Sequence, residues 1–497
     1  MKLVRLGSLA AALFLAGCAS MAPEYVRPGM PVDDAWPQGP AYRAADTSAP
    51  GVLAEESTVG APAAGAPAAG SPAAVADIPW QSFIVDARLR GLVGIALDHN
   101  RDLRVAAINI ERARAQYGVQ RADMLPTIGA SGSGATQRMP ADVSPSGQAG
   151  ITPQYSAGVG LSAYELDLFG RVRSLKDGAL QRYLSTQEAH KTVQITLVAE
   201  VANAYLTLAA DQERLALAHR TLDSQRHSYA LTRRSQELGV ASMLDLRQSQ
   251  TLVESARGDV ARFTSQIARD RNALELLLGS RLPDHLLPAG QGEGPATLSV
   301  LQAGLPSEVL QTRPDVLRVE RLLQAANAHI GAARAAFFPR IALTASAGTA
   351  SSALGSLFEG GTGFWNFLPQ LDLPIFDGGR NRANLRVSEA ERELALAEYE
   401  KAIQVAFREV ADALAERGTL GEQLAAQQDL VEAAGHNKAL AEARYRRGID
   451  SYLDVLDAQR NLYSAQQDLI TLRLTHSSNH VALYKALGGG WKSASGA

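Results

Sequence analysis

The chain contains two copies of one pattern. Residues 113–132 recur at 326–345, offset by 213, so that Gly118 and Gly331, Arg121 and Arg334, Ala122 and Ala335, Pro126 and Pro339, and Ile128 and Ile341 fall in register. Farther along the offset is 209. It pairs Arg171 with Arg380, Glu200-Val201-Ala202 with Glu409-Val410-Ala411, Gly239 with Gly448, Leu244-Asp245 with Leu453-Asp454, and Leu278-Gly279 with Leu487-Gly488. A repeat of about 210 residues is far longer than a solenoid unit. A whole structural half is therefore duplicated, and any fold proposed for one half has to serve the other in the same order.

Each half carries a long helical signal. No proline occurs between Pro153 and Pro283 or from Asn381 to the C-terminus, and these spans are rich in Ala, Leu, Glu, Gln and Arg, which favour helix. Ala390, Leu394 and Ala397, then Ile403, Phe407, Val410 and Leu414, step by threes and fours along one helical face, and Leu396, Tyr399 and Ala406 add a second stripe. The spans Val172–Leu238 and Arg382–Arg447 each allow more than sixty residues of helix. At about 1.5 Å per residue, each would be a rod roughly 100 Å long. Helices of that length point to coiled-coil packing, not to a compact enzyme core. Gly239 and Gly448 end the rods at equivalent places, and return helices over 242–278 and 451–487 follow.

Short segments ahead of the rods have a period of two. Ala157, Val159, Leu161 and Ala163 alternate with small polar residues, as do Ile341, Leu343, Ala345 and Ala347, and Trp365, Phe367, Leu371 and Leu373. Thr127–Gln137 alternates less cleanly, and Pro369 interrupts its segment, since proline cannot donate to a ladder. The pattern predicts two strands per half, joined by loops over 138–154 and 350–363, with the spacing of a half-buried or membrane-barrel strand. A bilayer tolerates no open sheet edge, and bacterial barrels start at about eight strands. Four strands in a membrane therefore require several chains to share one barrel. Two hairpins that enter and leave on the same side also place every helix on one side of the membrane.

The N-terminus supplies the compartment. Lys2 and Arg5 precede an apolar run from Leu6 to Ala16, which ends in Leu15-Ala16-Gly17-Cys18. This has the parts of a secretory leader, and its ending resembles a bacterial lipobox in which Cys18 is acylated and becomes the mature N-terminus. Ala19 resembles the residue that sorts such lipoproteins to the outer membrane. Cys18 is the only cysteine, so no intramolecular disulfide can form. The formal charge of −3 becomes −5 once Lys2 and Arg5 leave with the leader, which offers no basic footprint for nucleic acid. The leader is too short to span a bilayer, and no later segment reads as a spanning helix. Residues 44–76, with the Pro/Ala/Gly tract Ala61–Ala74 at their centre, have nothing to build a core from and read as a linker.

A set of motifs runs through nearly the whole mature chain: PEYVRP (23–28), PW (79–80), LDHNRDLR (97–104), ELDLFGRVR (165–173), RPDV (313–316), GAARAAFFP (331–339), PIFDGGR (374–380), YRRGIDSYLDVLDAQRNLYSAQQDLI (445–470) and YKALGGGW (484–491). In this order and spacing the chain resembles the outer membrane factors of tripartite efflux systems, chiefly the OprM-like lipoproteins and more distantly TolC. The resemblance implies a mixed α and β membrane protein. It would be a homotrimer whose twelve-stranded β-barrel, four strands per protomer, continues into a long α-helical coiled-coil tunnel in the periplasm. It implies an outer-membrane location with a lipid anchor at Cys18, and two partners: a periplasmic adaptor and an inner-membrane proton-driven pump of the RND class. The chain would be the passive exit duct for drugs and other small toxic compounds, with no cofactor and no catalysis. The domains expected are a signal peptide (1–17), an anchored segment and linker (18–80), a first repeat (81–290; strand hairpin 127–164, helices 170–279) and a second (291–497; helix 315–336, strand hairpin 340–374, helices 381–487).

The candidate functional residues lie where the second rod gives way to its return helix. Asp454 and Asp457 are three apart and share a helical face, and repeated around a threefold axis they would form rings of like charge, the usual means of cation selectivity. By resemblance, Leu453, Asp454 and Asp457 line a closed periplasmic mouth that Asp245 and Tyr445 help tether. A purely structural role as helix-start carboxylates at the positive end of the helix dipole is the alternative. Asp450 stands where TolC has an arginine that pairs with the counterpart of Asp245. That bridge cannot form here, and Arg446, Arg447 or Arg460 are the candidates to replace it. No metal site is expected, because the nine histidines show no paired spacing, and Gly378-Gly379 reads as a strand-to-rod turn, not a phosphate loop. The other functions open to such a chain are a duct for type I protein secretion, metal-cation efflux, or a lipid-anchored coiled-coil scaffold without a pore.

Overall fold

The computed structural model describes residues 20–42, 78–144, 147–288, 298 and 307–491; the leader, Cys18 and the Pro/Ala/Gly linker lie outside them. Eight helices occur in the described residues: α1 (Trp80–Phe83), α2 (Ala87–His99), α3 (Arg101–Ala122), α4 (Arg171–Glu237), α5 (Met243–Leu278), α6 (Pro314–Ala335), α7 (Arg380–Arg446) and α8 (Tyr452–Ala486). Four strands complete the set: β1 (Ile128–Met139), β2 (Gly150–Leu166), β3 (Arg340–Ser351) and β4 (Gly363–Asp372). The two rods are α4 and α7, each 67 residues long, and the return helices α5 and α8 start and stop within one residue of the spans expected. One stretch of α4 is apolar enough to cross a membrane, with a mean hydropathy of 1.4, contrary to expectation. It is core nonetheless: more than half of it is buried within the protein, including Leu197, Val198, Val201, Ala202 and Tyr205.

The described residues form two compact units, each assembled from separate stretches of sequence. The first comprises Met1–Gly29, Ile108–Gln187 and Arg318–Glu400. Its centre is a single antiparallel sheet in the order β1-β2-β3-β4, with β1 and β4 at the edges. The register aligns Ile128 with Leu161, Ala345 and Phe367, and Ala130 with Val159, Ala347 and Trp365, which gathers most of the alternating apolar residues on one face; a bulge between Leu161 and Tyr164 breaks the expected period of β2, so that Tyr164 and not Ala163 stands opposite Leu343. The opposite face is mainly Gly, Ser, Thr, Asn and Gln. Pro369 lies on edge strand β4, where a missing donor is tolerated. β2 begins earlier than expected and takes in Pro153, opposite Thr136 of β1. Pairing of β2 with β3 starts only at Tyr155, so this proline occupies a stretch with one flank unpaired.

Each strand-to-rod turn in this unit is held by one aspartate that caps the helix. Asp167 accepts the backbone N–H of Val172 (3.1 Å) and Arg173 (2.8 Å), and Asp377 accepts those of Gly379 (2.9 Å) and Asn381 (2.8 Å). Gly378 and Gly379 are part of this turn, as expected. The segment 20–29 forms a strap along α6: Asn327 donates to the Pro23 carbonyl (2.7 Å), and Glu320 takes both the Tyr25 hydroxyl (3.1 Å) and the Arg27 guanidinium (2.8 Å).

The second unit comprises Met30–Ala107, Glu188–Leu317 and Lys401–Ala497. Leu89, Leu92, Val93 and Ala96 bury one face of α2. Phe83 stacks on Tyr484 with centroids 3.9 Å apart, and the Tyr484 hydroxyl donates to the Ile78 carbonyl (2.7 Å). The RPDV motif is explained here. Arg313, 7% exposed, joins Asp315 (2.7 Å), Glu409 of α7 (2.8 Å) and the Ala486 carbonyl at the end of α8 (2.7 Å).

Candidate functional site at the helical hairpin tips

The same device ends both rods. Gly239 and Gly448 have φ +74°, a conformation that costs an L residue about 1–2 kcal/mol and glycine nothing. Gly239 N–H donates to the Gln236 carbonyl (3.0 Å) and Val240 N–H to that of Ser235 (2.9 Å); Gly448 donates to Tyr445 (2.8 Å) and Ile449 to Arg444 (3.1 Å). These nested bonds satisfy the last carbonyls of each helix. Three residues after each glycine a serine starts the return helix. Ser242 N–H and hydroxyl donate to the Asp245 carboxylate (2.9 and 2.8 Å), and Ser451 N–H and hydroxyl to that of Asp454 (3.1 and 2.7 Å). Both pairs are reciprocal capping boxes.

The singled-out residues fall into two groups. Leu453 (50% exposed), Asp454 and Asp457 lie on the exposed side of the first turns of α8, and the Asp457 carboxylate is 3.6 Å from Arg460. Tyr445 faces inward: its ring is tilted against Tyr452 at 5.2 Å, and it packs on a cluster of Ala441, Tyr452, Val455, Leu456 and Ala458 together with Leu252 of α5. Burial, and then the negative Asp245 beside it, raise the Tyr445 phenol above its ordinary range. Tyr445 thus packs inward, near enough to Asp245 to feel its charge, while Leu453, Asp454 and Asp457 are presented outward.

Asp450, which stands where the bridging arginine of TolC would be, is itself engaged by an arginine of the same hairpin. Arg444 binds it through Nη2 (2.8 Å) and holds its carboxyl below the usual range. Arg446 instead donates to the Glu442 carbonyl (3.2 Å), and Arg460 sits beside Asp457. The pairing spans the chain reversal at Gly448, a proximity that helical spacing alone does not display.

A family model described as "Outer membrane efflux protein" matches residues 92–280 and 305–489. The chain belongs to the outer membrane efflux protein family. The toluene efflux pump outer membrane protein TtgC of Pseudomonas putida is 50% identical over 484 residues, covering 97% of this chain and 95% of that one. The antibiotic efflux pump outer membrane protein ArpC, also of Pseudomonas putida, matches with the same identity and coverage. The crystal structure of the open state of the MtrE outer membrane channel of Neisseria gonorrhoeae superposes with a TM-score of 0.80 at 36% identity, covering 95% of this chain and 99% of that one. As a member of this family the chain is an outer-membrane efflux conduit, which removes the reading as a scaffold without a pore.

Two further groups of titratable residues in this efflux protein escaped the sequence reading. His476 and His480 of α8 do have a paired spacing, with ring centroids 4.9 Å apart. Burial, aided by His476 and Arg417, pushes His480 down to about 4. Among the described residues, however, no group of three or more His, Cys, Asp or Glu is placed to hold a metal ion. Asp270 of α5 is pushed up to about 6, first by burial and then by hydrogen bonding with Asp211 of α4, which is itself salt-bridged to Arg214 (2.6 Å). The four-residue step between the histidines was legible in the sequence; the Asp211–Asp270 pairing, across two helices, was not.

Proposed function

We propose that three copies of the chain close a twelve-stranded barrel and conduct small toxic compounds out of the cell. The observation that carries this reading is the sheet itself, which has four strands, an apolar face and two free edges, β1 and β4. A bilayer leaves neither edge unpaired, so β1 of one copy must meet β4 of the next around a closed ring. Toluene and antibiotics are the substrates named for TtgC and ArpC, and small toxic compounds of this kind are assigned to this chain. An inner-membrane RND pump would supply them through a periplasmic adaptor. The duct is passive, each half of the chain serves as one repeat, and acylated Cys18 ties it to the outer membrane.

The gate is assigned to the hairpin tips. Leu453, Asp454 and Asp457 of three copies would ring the mouth, while Tyr445 and Asp245 hold the second hairpin against the first. Outward movement of α7 and α8, driven by the adaptor, would open it. The carboxylates at the mouth favour cations. Planar-bilayer conductance of the detergent-extracted oligomer tests both parts. A small cation-selective conductance that grows and loses selectivity in Asp457→Ala is the expected result. An unchanged pore in that variant removes the gate and keeps the channel, and a crosslinked mass other than a trimer removes the assembly.

A further inference from the structure

An exposed apolar patch lies beside the point where the described chain begins. Phe337 and Phe338, each 42% exposed, sit between the end of α6 and the start of β3 and form this patch with Met21, Arg334 and Leu385. Phe338 is backed by Phe169, stacked at 4.8 Å, so the surface is stiff. The strap that leads to it is fixed almost to its first residue. Besides the Asn327 bond to Pro23, the Ser20 and Ser174 hydroxyls are 3.5 Å apart, and Ala22 lies so close to α6 that a Cβ on Gly331 would come within 2.6 Å of its backbone nitrogen. Gly331 is therefore required for the strap to lie where it does.

Cys18 is two residues from Ser20 and three from Met21. At no more than about 3.6 Å per residue its Cα cannot be farther than roughly 11 Å from that of Met21, which itself lines the patch. We infer that the acyl chain on Cys18 lies on the Met21–Phe337–Phe338–Leu385 surface and is not free in the bilayer. The inference rests on the lipid-anchor reading of Cys18 given above. The chemistry suits it. The surface is aliphatic and aromatic, and it adjoins the end of a membrane strand where aromatic side chains meet the lipid headgroups. Such a seat would tie the height of the strands in the membrane to the strap, and through the strap to α6.

Photocrosslinking in intact membranes tests it, with p-benzoylphenylalanine introduced at Phe337 and, in a second variant, at Leu385. Extraction as the same oligomer as wild type shows that each variant has folded. The mass of the N-terminal peptide independently reports whether Cys18 is acylated. The expected result is an intrachain adduct joining the labelled peptide to the acylated N-terminal peptide. It should be lost when a cleavable non-lipoprotein leader precedes Cys18→Ser. With acylation verified, adducts to phospholipid alone, crosslinks only to a second copy of the chain, or no adduct at either position would each overturn the seat while leaving the anchor intact. An unacylated Cys18 would overturn the anchor itself, and the seat with it.

Discussion

At the scale of single residues, mutations at the tips have to separate the proposed gate role from the capping of the return helix. Asp454 closes a capping box, so Asp454→Ala removes a helix cap worth about 1 kcal/mol as well as a charge. Asp457 caps nothing and is 58% exposed. Asp457→Asn should therefore change ion selectivity without lowering thermal stability, whereas Asp454→Asn should change both; bilayer recordings beside melting curves decide. Gly448→Ala forces an L side chain into φ +74° and should destabilise the second hairpin by about 1–2 kcal/mol, seen as faster hydrogen exchange at 444–452. Two buried groups give opposite pH dependences. Asp270 titrates higher in the folded state than in the unfolded one, so its ionisation costs stability as pH rises through about 6. His480 titrates lower in the folded state, near 4, so its neutral form contributes stability that is lost as pH falls from about 6.5 toward 4. Asp270→Asn should therefore raise the melting temperature at pH 7 more than at pH 4, and His480→Gln should flatten the acid side of the stability curve.

At the scale of elements, what was legible in the sequence was what repeats along the chain. Proline-free spans located α4 and α7, paired glycines located their ends, and period-two alternation located β3 and β4 to within a few residues. What was missed depends on neighbours. The start of β2 at Gly150 was hidden because Pro153 reads as a loop until β1 is beside it. On α7 the expected stripe begins with Ala390, Leu394 and Ala397, yet Leu394 is exposed and the buried face runs through Tyr399, Ile403, Ala406 and Val410. Spacing found a helix there, but the face the chain itself covers takes Ile403 and Val410 from one expected stripe and Tyr399 and Ala406 from the other. Of the candidate site, the shared helical face of Asp454 and Asp457 was legible from their spacing, and the Arg444–Asp450 pair was not. The RPDV motif offers the clearest test at this scale, because Arg313 links α6, α7 and α8 through three charge-assisted contacts. Arg313→Ala should cost about 2–3 kcal/mol. Arg313→Lys should recover little of it, since an ammonium cannot reproduce the planar fork; melting temperature and protease resistance of the extracted protein report both.

At the scale of the whole molecule, the decisive feature is that one chain is incomplete. Its sheet ends in β1 on one side and β4 on the other, two different edges, so contacts between copies are head-to-tail and close only if the rotation per copy divides a full turn. Cys18, the sole cysteine, is consumed by acylation in this reading, so introduced cysteines report on the edges without background. Ser131 and Ser133 of β1, and Asn366 and Gln370 of β4, lie on one face of the sheet. Pairing Ser131→Cys or Ser133→Cys with Asn366→Cys or Gln370→Cys gives four combinations that sample neighbouring registers. In at least one, oxidation in membranes should produce dimers and trimers on a non-reducing gel and nothing larger, because the third disulfide closes the ring. The single-cysteine parents should stay monomeric. A ladder continuing past the trimer would mean that the edges meet without closing at three, and the absence of any crosslink in all four would mean that β1 and β4 are not each other's partners.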